Sequence, residues 1–262
     1  MRAISIMYHD IVRGGESDAS GFPGPDAALY KLEPEQFASH LDAIAKAVRR
    51  SPGSVFDLLK AEHQGTPLLI TFDDGGASAP GIADMLEHQG WRGHFFITTG
   101  YIGTPSFMSR DQILELHRRG HVIGSHSSSH PARMSHCDWE VMLREWKTSV
   151  ELLSDILGEQ VRAASVPGGY YSRRVAEAAS VAGIEALFTS EPTTRCRTVG
   201  RCLVLGRYTI QRWMSSEVAA ALAAGRVAPR LRQLLFWNTK KATKALGGER
   251  YLKVRKALLG RM

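Results

Sequence analysis

A chain of 262 residues, 44% hydrophobic and 23% charged, has the composition of a globular protein and the length for one large α/β domain or two small ones. Its net charge of +7 is unevenly spread: residues 226–262 hold eleven Lys or Arg and a single acid, Glu249, a balance of +10 that leaves −3 on the rest. The high pI therefore belongs to the tail, and because no base-reading motif accompanies it, nucleic acid is excluded as the expected partner.

The N-terminal MRAISIMYHDIV lacks the long apolar centre and small-residue cleavage site of a signal peptide and reads as a first strand, Ala3 to Met7. No apolar run approaches the roughly 20 residues of a membrane helix. A helix follows at 34–48. Beyond residue 66, short apolar runs alternate with helical patterns. The runs are PLLITF (67–72), HFFITT (94–99), HVIGSH (121–126), VRAASV (161–166), ALFTS (186–190) and LVLGRYTI (203–210). The helices fall at 81–90, 110–120, 138–158, 172–183 and 215–225, several closed by a glycine. Cys137, Cys196 and Cys202 form no CxxC pair and fit a reducing compartment better than a disulfide framework.

Strand–helix alternation at this spacing means βα units around a mainly parallel sheet. Polar residues collect after the strands: Asp73 and Asp74, then His126 and His130, then the segment after Val166. In a (β/α) barrel the C-terminal strand ends converge on one face, where active sites sit. An open doubly wound sheet would place its site at a switch point, and no dinucleotide fingerprint is present. The expectation is a distorted (β/α) barrel of about seven parallel strands over residues 1–225, with a basic helical extension at 226–262.

TFDDGG (71–76) and HSSSH (126–130) carry the chemistry. Two His at i and i+4 share a face if the segment turns helical, and two imidazoles plus one carboxylate hold a metal while leaving a position for water. The adjacent Asp73 and Asp74 then divide two jobs, one ligating a metal and the other reaching the water.

With these segments in place, the chain resembles the polysaccharide deacetylases of carbohydrate esterase family 4. The resemblance runs over roughly residues 3–210 and rests on TFDDG, HSSSH and VPGG (166–169), with YHD (8–10) and LEPEQFASHLDAI (32–44) like the family's opening. It implies Asp73 as general base and Asp74, His126 and His130 as ligands of a divalent metal. That ion would be zinc in the first instance, with Co2+, Ni2+ or Mn2+ as alternatives. It also implies the Gly168 N–H as the donor to the developing oxyanion.

Two positions depart from the family pattern. Ser165 stands where many members have an Arg that orients the base, and Arg207 where many have the His that protonates the leaving amine. Arg cannot donate a proton at neutral pH. Members linked to exopolysaccharide modification resemble this chain in lacking both residues, and His9 then reads either as the replacement acid or as a strand-end His hydrogen-bonded to a loop.

The implied function is metal-dependent de-N-acetylation of an N-acetylated glycan, in a polysaccharide or a lipid-linked oligosaccharide precursor. Two alternatives stand beside it: a catalytically impaired metal- and sugar-binding relative, and a hydrolase of another small amide or ester. One of Tyr170 and Tyr171 is a candidate for stacking on the sugar, whereas Trp139, Trp146 and His121 read as structural. The tail reads either as a helix across the barrel bottom or as a peripheral contact with an anionic membrane. The expected location is cytoplasmic, extending to the inner membrane face.

Overall fold

The computed structural model describes residues 1–60 and 65–239. Its strands are β1 (Ile4–Tyr8), β2 (Leu68–Phe72), β3 (His94–Ile97), β4 (Val122–Ser125), β5 (Ala163–Ser165), β6 (Ala186–Phe188), β7 (Arg197–Val199), β8 (Cys202–Leu205) and β9 (Tyr208–Thr209). The helices are α1 (Pro25–Ala28), α2 (Pro34–Ala47), α3 (Val55–Leu59), α4 (Ala79–His88), α5 (Arg110–Arg118), α6 (Trp139–Leu157), α7 (Arg173–Val181) and α8 (Ser216–Ala223). A further helical segment covers 227–239.

β1 (ISIMY) and β2 (LLITF) are buried along their whole length, as expected for parallel strands covered on both faces. The sheet runs in the order β7-β8-β6-β5-β4-β3-β2-β1-β9. β8 pairs with β6, and β9 pairs with β1, both parallel. Only Gly206 and Arg207 separate β8 from β9, so one bent segment joins the two sides of the sheet and curls it into a distorted barrel. Counting that segment as one stave, with β1 to β6, recovers the expected seven.

The expected strand 203–210 breaks because Gly206 lies against the 191–193 loop. A Cβ there would come 2.3 Å from the Glu191 carbonyl oxygen, and the Arg207 N–H donates to that carbonyl at 2.9 Å instead of to a strand neighbour. The basic stretch between Cys196 and Cys202 adds an unexpected antiparallel edge strand, β7, turned onto β8 through Gly200 and Arg201. α1 and α3 are also additions. α3 is begun by a capping box in which Ser54 and Asp57 bond each other's backbone.

α6 ends at Gly158 in the left-handed conformation, and Trp146 on its inner face is fully buried in the main core. Trp139 packs against that core from its edge. α2 and α8 pack together on the β1 side. His121 is structural: it accepts from the Gly93 N–H at 3.1 Å and meets Glu87 at 2.9 Å.

Candidate metal centre and active-site cleft

The acidic pair sits where β2 stops. The Asp73 N–H donates to the Tyr8 carbonyl at 3.1 Å, the last rung toward β1. Asp74 then takes a positive φ of 78°, which a non-glycine residue rarely adopts. Strand alternation alone would send the two carboxylates to opposite faces; the left-handed kink instead lets both line one cleft. They are 5% and 8% exposed.

HSSSH does not turn helical. His126 leaves β4 with its N–H on the Ile97 carbonyl, and Ser127 and His130 both have positive φ. This looped path still brings the rings to 5.1 Å between centroids. His126 Nε2 lies 3.4 Å from Asp74 Oδ1, and His130 Nε2 lies 3.7 Å from the same oxygen. His126 Nδ1 is 3.0 Å from the Ser165 carbonyl, so Nδ1 carries a proton and donates it, and Nε2 is the ring atom that faces Asp74.

One ligand atom from each of Asp74, His126 and His130 lies within 4.8 Å of the others. Zinc bonds of about 2.0–2.2 Å at tetrahedral angles put neighbouring ligand atoms roughly 3.4 Å apart, so the donor set fits a divalent ion. Electrostatics favour one as well. Burial pushes the Asp74 carboxyl up, but the His126 hydrogen bond and the charges of His9, His126 and His130 hold it well below the usual carboxylate range. Burial presses His130 down to about 4, which keeps its imidazole neutral and able to ligate.

Arg207 does not stand in the cleft as an acid would. It is fully buried, and its Nη1 and Nη2 donate to Asp73 Oδ1 and Oδ2 at 2.6 and 2.7 Å. Nη2 also donates to Ser165 Oγ at 2.7 Å, and Ser165 Oγ donates to Asp73 Oδ2 at 3.1 Å. Nε and Nη1 are spent on the Thr189 carbonyl and Thr71 Oγ1, at 3.1 Å each. Burial pushes Asp73 up; Arg207, with His126, more than reverses this and holds it below its ordinary range.

His9, just past β1, lines the same cleft as Asp73, Asp74 and Gly168. Its ring lies 4.8 Å from Tyr30, and its buried Nδ1 has no hydrogen-bond partner among the described residues. Gly168 has φ +62° in the turn after β5. Of the two tyrosines, Tyr170 lines the cleft, with the Arg133 guanidinium 5.9 Å from its ring centroid. Tyr171 packs against the core.

A loop spanning 11–33 roofs this site. Lys31 Nζ donates to the Ser17, Ser20 and Phe22 carbonyls at 2.5–2.7 Å. Asp10 Oδ1 accepts from Ser20 Oγ at 2.5 Å and Ser78 Oγ at 2.8 Å. So fixed, the loop places Phe22 at 4.7 Å from the His130 ring. The segment 227–239 forms a further wall, and not a floor. Arg230 bonds the Gly225 carbonyl near the Ile4 end of β1, Gln233 bonds Thr209, and Trp237 reaches Gly169 at the rim. The rest of the tail, 240–262, lies outside the described residues.

Sequence reasoning missed Arg207 as the partner of Asp73. The signal was available in the paired departures themselves, an Arg absent at 165 and an Arg present at 207, one at the end of β5 and the other in the bend between β8 and β9. It also missed the cage that Asp10 and Lys31 make for the roof.

The polysaccharide deacetylase family matches residues 60–187. The peptidoglycan-N-acetylglucosamine deacetylase PgdA of Listeria monocytogenes is 31% identical over 152 residues, which cover 55% of this chain and only 31% of that protein's length. Among solved structures, the Streptococcus pyogenes deacetylase PplD, in complex with acetate, superposes with a TM-score of 0.69 at 20% identity, covering 83% of this chain and 96% of that one. IcaB from Ammonifex degensii superposes with a TM-score of 0.66 at 20% identity, covering 85% and 97%. At this identity the two structures establish the shared fold, and the motifs at Asp73–Asp74 and His126–His130 fall inside the matched segment. Residues 60–187, just under half of the chain, match the polysaccharide deacetylase family, and the rest of the barrel shares the fold of these deacetylase structures.

Proposed function

We propose that this protein is a metal-dependent de-N-acetylase of N-acetylated amino sugars in a glycan. The observation that carries this is the convergence of Asp74, His126 and His130 on one point beside a clamped Asp73. Asp74 Oδ1 and the Nε2 atoms of both His would hold the ion. Zinc is the first expectation from the donor chemistry, with Co2+, Ni2+ or Mn2+ as alternatives. When bound, it lowers the pKa of a water and polarises the amide carbonyl.

Asp73 takes the proton from the attacking water. Its lowered basicity suffices because the water is acidified at the same site. Arg207 and Ser165 fix both Asp73 oxygens, so the base cannot rotate away. The Gly168 N–H receives the developing oxyanion. His9 gives a proton to the leaving amine, and the roof over His130 and His9 keeps water from competing. Arg207 restores at Asp73 the cation that position 165 lacks, which favours an enzyme over a binding-only relative.

The +10 balance over 226–262 supports a peripheral contact with an anionic membrane at its inner face. No described helix is long and apolar enough to cross a membrane. The test is acetate release from N-acetylglucosamine oligomers by protein loaded with zinc or cobalt. Measurable release, abolished by Asp73→Asn, is expected. Oligosaccharide binding by calorimetry without release, for every divalent ion and N-acetyl sugar tried, would replace the enzyme with a sugar-binding protein.

A further inference from the structure

The cleft is large, about 1670 Å³, and one of its walls suits a sugar poorly. Trp213, Leu235, Phe236 and Trp237 line it together with Met214 and Val218. Trp213, Leu235 and Phe236 are 63%, 66% and 54% exposed, a concentration of large apolar side chains that a protein surface seldom presents without a use.

Apart from Arg232, which lines the cleft and is open to solvent, the polar side chains of this wall are already engaged. The Gln233 amide accepts from the Thr209 N–H at 3.2 Å and donates to the Thr209 carbonyl at 2.8 Å. Thr239 Oγ1 donates back to the Phe236 carbonyl at 2.8 Å, and Arg232 is exposed to solvent. Sugar hydroxyls laid against such a surface would lose water without gaining partners, whereas methylenes would only gain.

The wall is also tied to the chemistry. Gln233 Nε2 touches Met214 Sδ at 4.0 Å, which sets the Trp213 loop beside the helical segment. A Cβ placed on Gly169 would come 3.9 Å from the Trp237 ring, so the apolar wall begins one residue from Gly168. Away from the cleft, the same segment exposes Val227, Leu231 and Leu234.

We propose that the substrate is an amphiphile, an N-acetylated amino sugar carried on a long apolar chain, with the sugar at the Asp74–His126–His130 end and the chain along Trp213, Leu235, Phe236 and Trp237. This deepens the deacetylase reading and rests on it. Arg232, exposed on this wall of the cleft, adds a positive charge beside the apolar side chains, which suits a carrier that emerges from an anionic surface.

The test compares methyl and dodecyl β-glycosides of N-acetylglucosamine, the latter below its micellar concentration, with the zinc-loaded full chain. The dodecyl glycoside should have a kcat/KM higher by about tenfold or more, nearly all of it in KM, because buried methylenes add binding without touching the reacting amide. Its addition should shift tryptophan emission to the blue, and the methyl glycoside should not. L235Q/F236Q, at two exposed positions, should bring the two glycosides' KM values together and remove the emission shift, with circular dichroism and metal content unchanged. Equal kcat/KM for the two glycosides in the wild type overturns the amphiphile while leaving the deacetylase standing. The emission measurement needs no turnover, so where neither glycoside releases acetate, an absent shift overturns the apolar site and a present one supports it apart from the chemistry.

Discussion

The Arg207 guanidinium grips both carboxylate oxygens of Asp73, at 2.6 and 2.7 Å, from the bend between β8 and β9. Ser165, at the position where many relatives supply this arginine, is reduced to a hydroxyl that completes the clamp at 2.7 Å from Nη2. The cation has moved from the end of β5 to that bend while its target has stayed in place.

Arg207→Ala leaves Asp73 as an uncompensated buried charge and should cost about 3–5 kcal/mol of stability, measured by denaturant unfolding. Arg207→Lys keeps the charge but loses the fork and should fold while turning over slowly. Because the guanidinium holds Asp73 low, its loss should move the acid limb of the kcat/KM profile to higher pH. A profile left in place by Arg207→Lys would show that the clamp does not govern the base. Arg207→His should create no acid, since the side chain points at Asp73 and Ser165 and does not line the cleft.

The metal centre predicts a separation between the two aspartates. His126→Ala, His130→Ala and Asp74→Asn should each empty the site by elemental analysis. Asp73→Asn should keep its ion yet lose about 10²–10⁴ in rate. Equal metal loss in Asp73→Asn and Asp74→Asn would end that division of labour.

His9 is a cleft residue with a buried Nδ1 lacking a hydrogen-bond partner among the described residues. His9→Ala should lower acetate release by roughly tenfold or more, the lower range of general acid catalysis, with metal content constant. Full activity in this variant would assign the leaving-group proton elsewhere.

His94 gives the fold an acid-sensitive point remote from the cleft. Its Nε2 accepts from the Val55 N–H at 3.0 Å and its Nδ1 donates to the Ile70 carbonyl at 3.0 Å. Burial pushes it down to about 4 from 6.5. Between those values the unfolded chain binds the extra proton, so stability rises with pH across this window and falls as pH drops from 6.5 to 4. At 1.36 kcal/mol per unit the loss is on the order of 3 kcal/mol. His94→Gln should show a flatter stability–pH curve over that window than the wild type; an identical slope would remove His94 as the cause.

The basic tail predicts salt-sensitive adhesion. Full-length protein should bind anionic vesicles at low salt and release them as screening shortens the Debye length to about 3 Å near 1 M. Truncation after residue 239, which retains the Arg230 and Gln233 contacts to β9, should weaken binding while deacetylation of a soluble N-acetyl glycoside persists. Unchanged vesicle binding would leave the charge of 240–262 without this role.

What the sequence determined by itself was local or periodic. Apolar runs of strand length, glycine-closed helices and the order of TFDDG, HSSSH and VPGG specified a curled parallel sheet with its polar residues on one rim. A strand end places the next residue at the rim whatever the rest of the chain does. The candidate ligands Asp74, His126 and His130, a set the family resemblance implied, fall on that rim, although the path from His126 to His130 is a loop with Ser127 and His130 left-handed and not a helix. Tertiary structure decided the rest. Gly206 cannot carry a Cβ beside the 191–193 loop, so the last strand bends there, and the bend turns Arg207 inward onto an aspartate 134 residues away. The roof held by Lys31 and the apolar wall of 227–239 arise in the same way. Each depends on side chains meeting groups that only the folded chain brings within reach, which no window of neighbouring residues encodes.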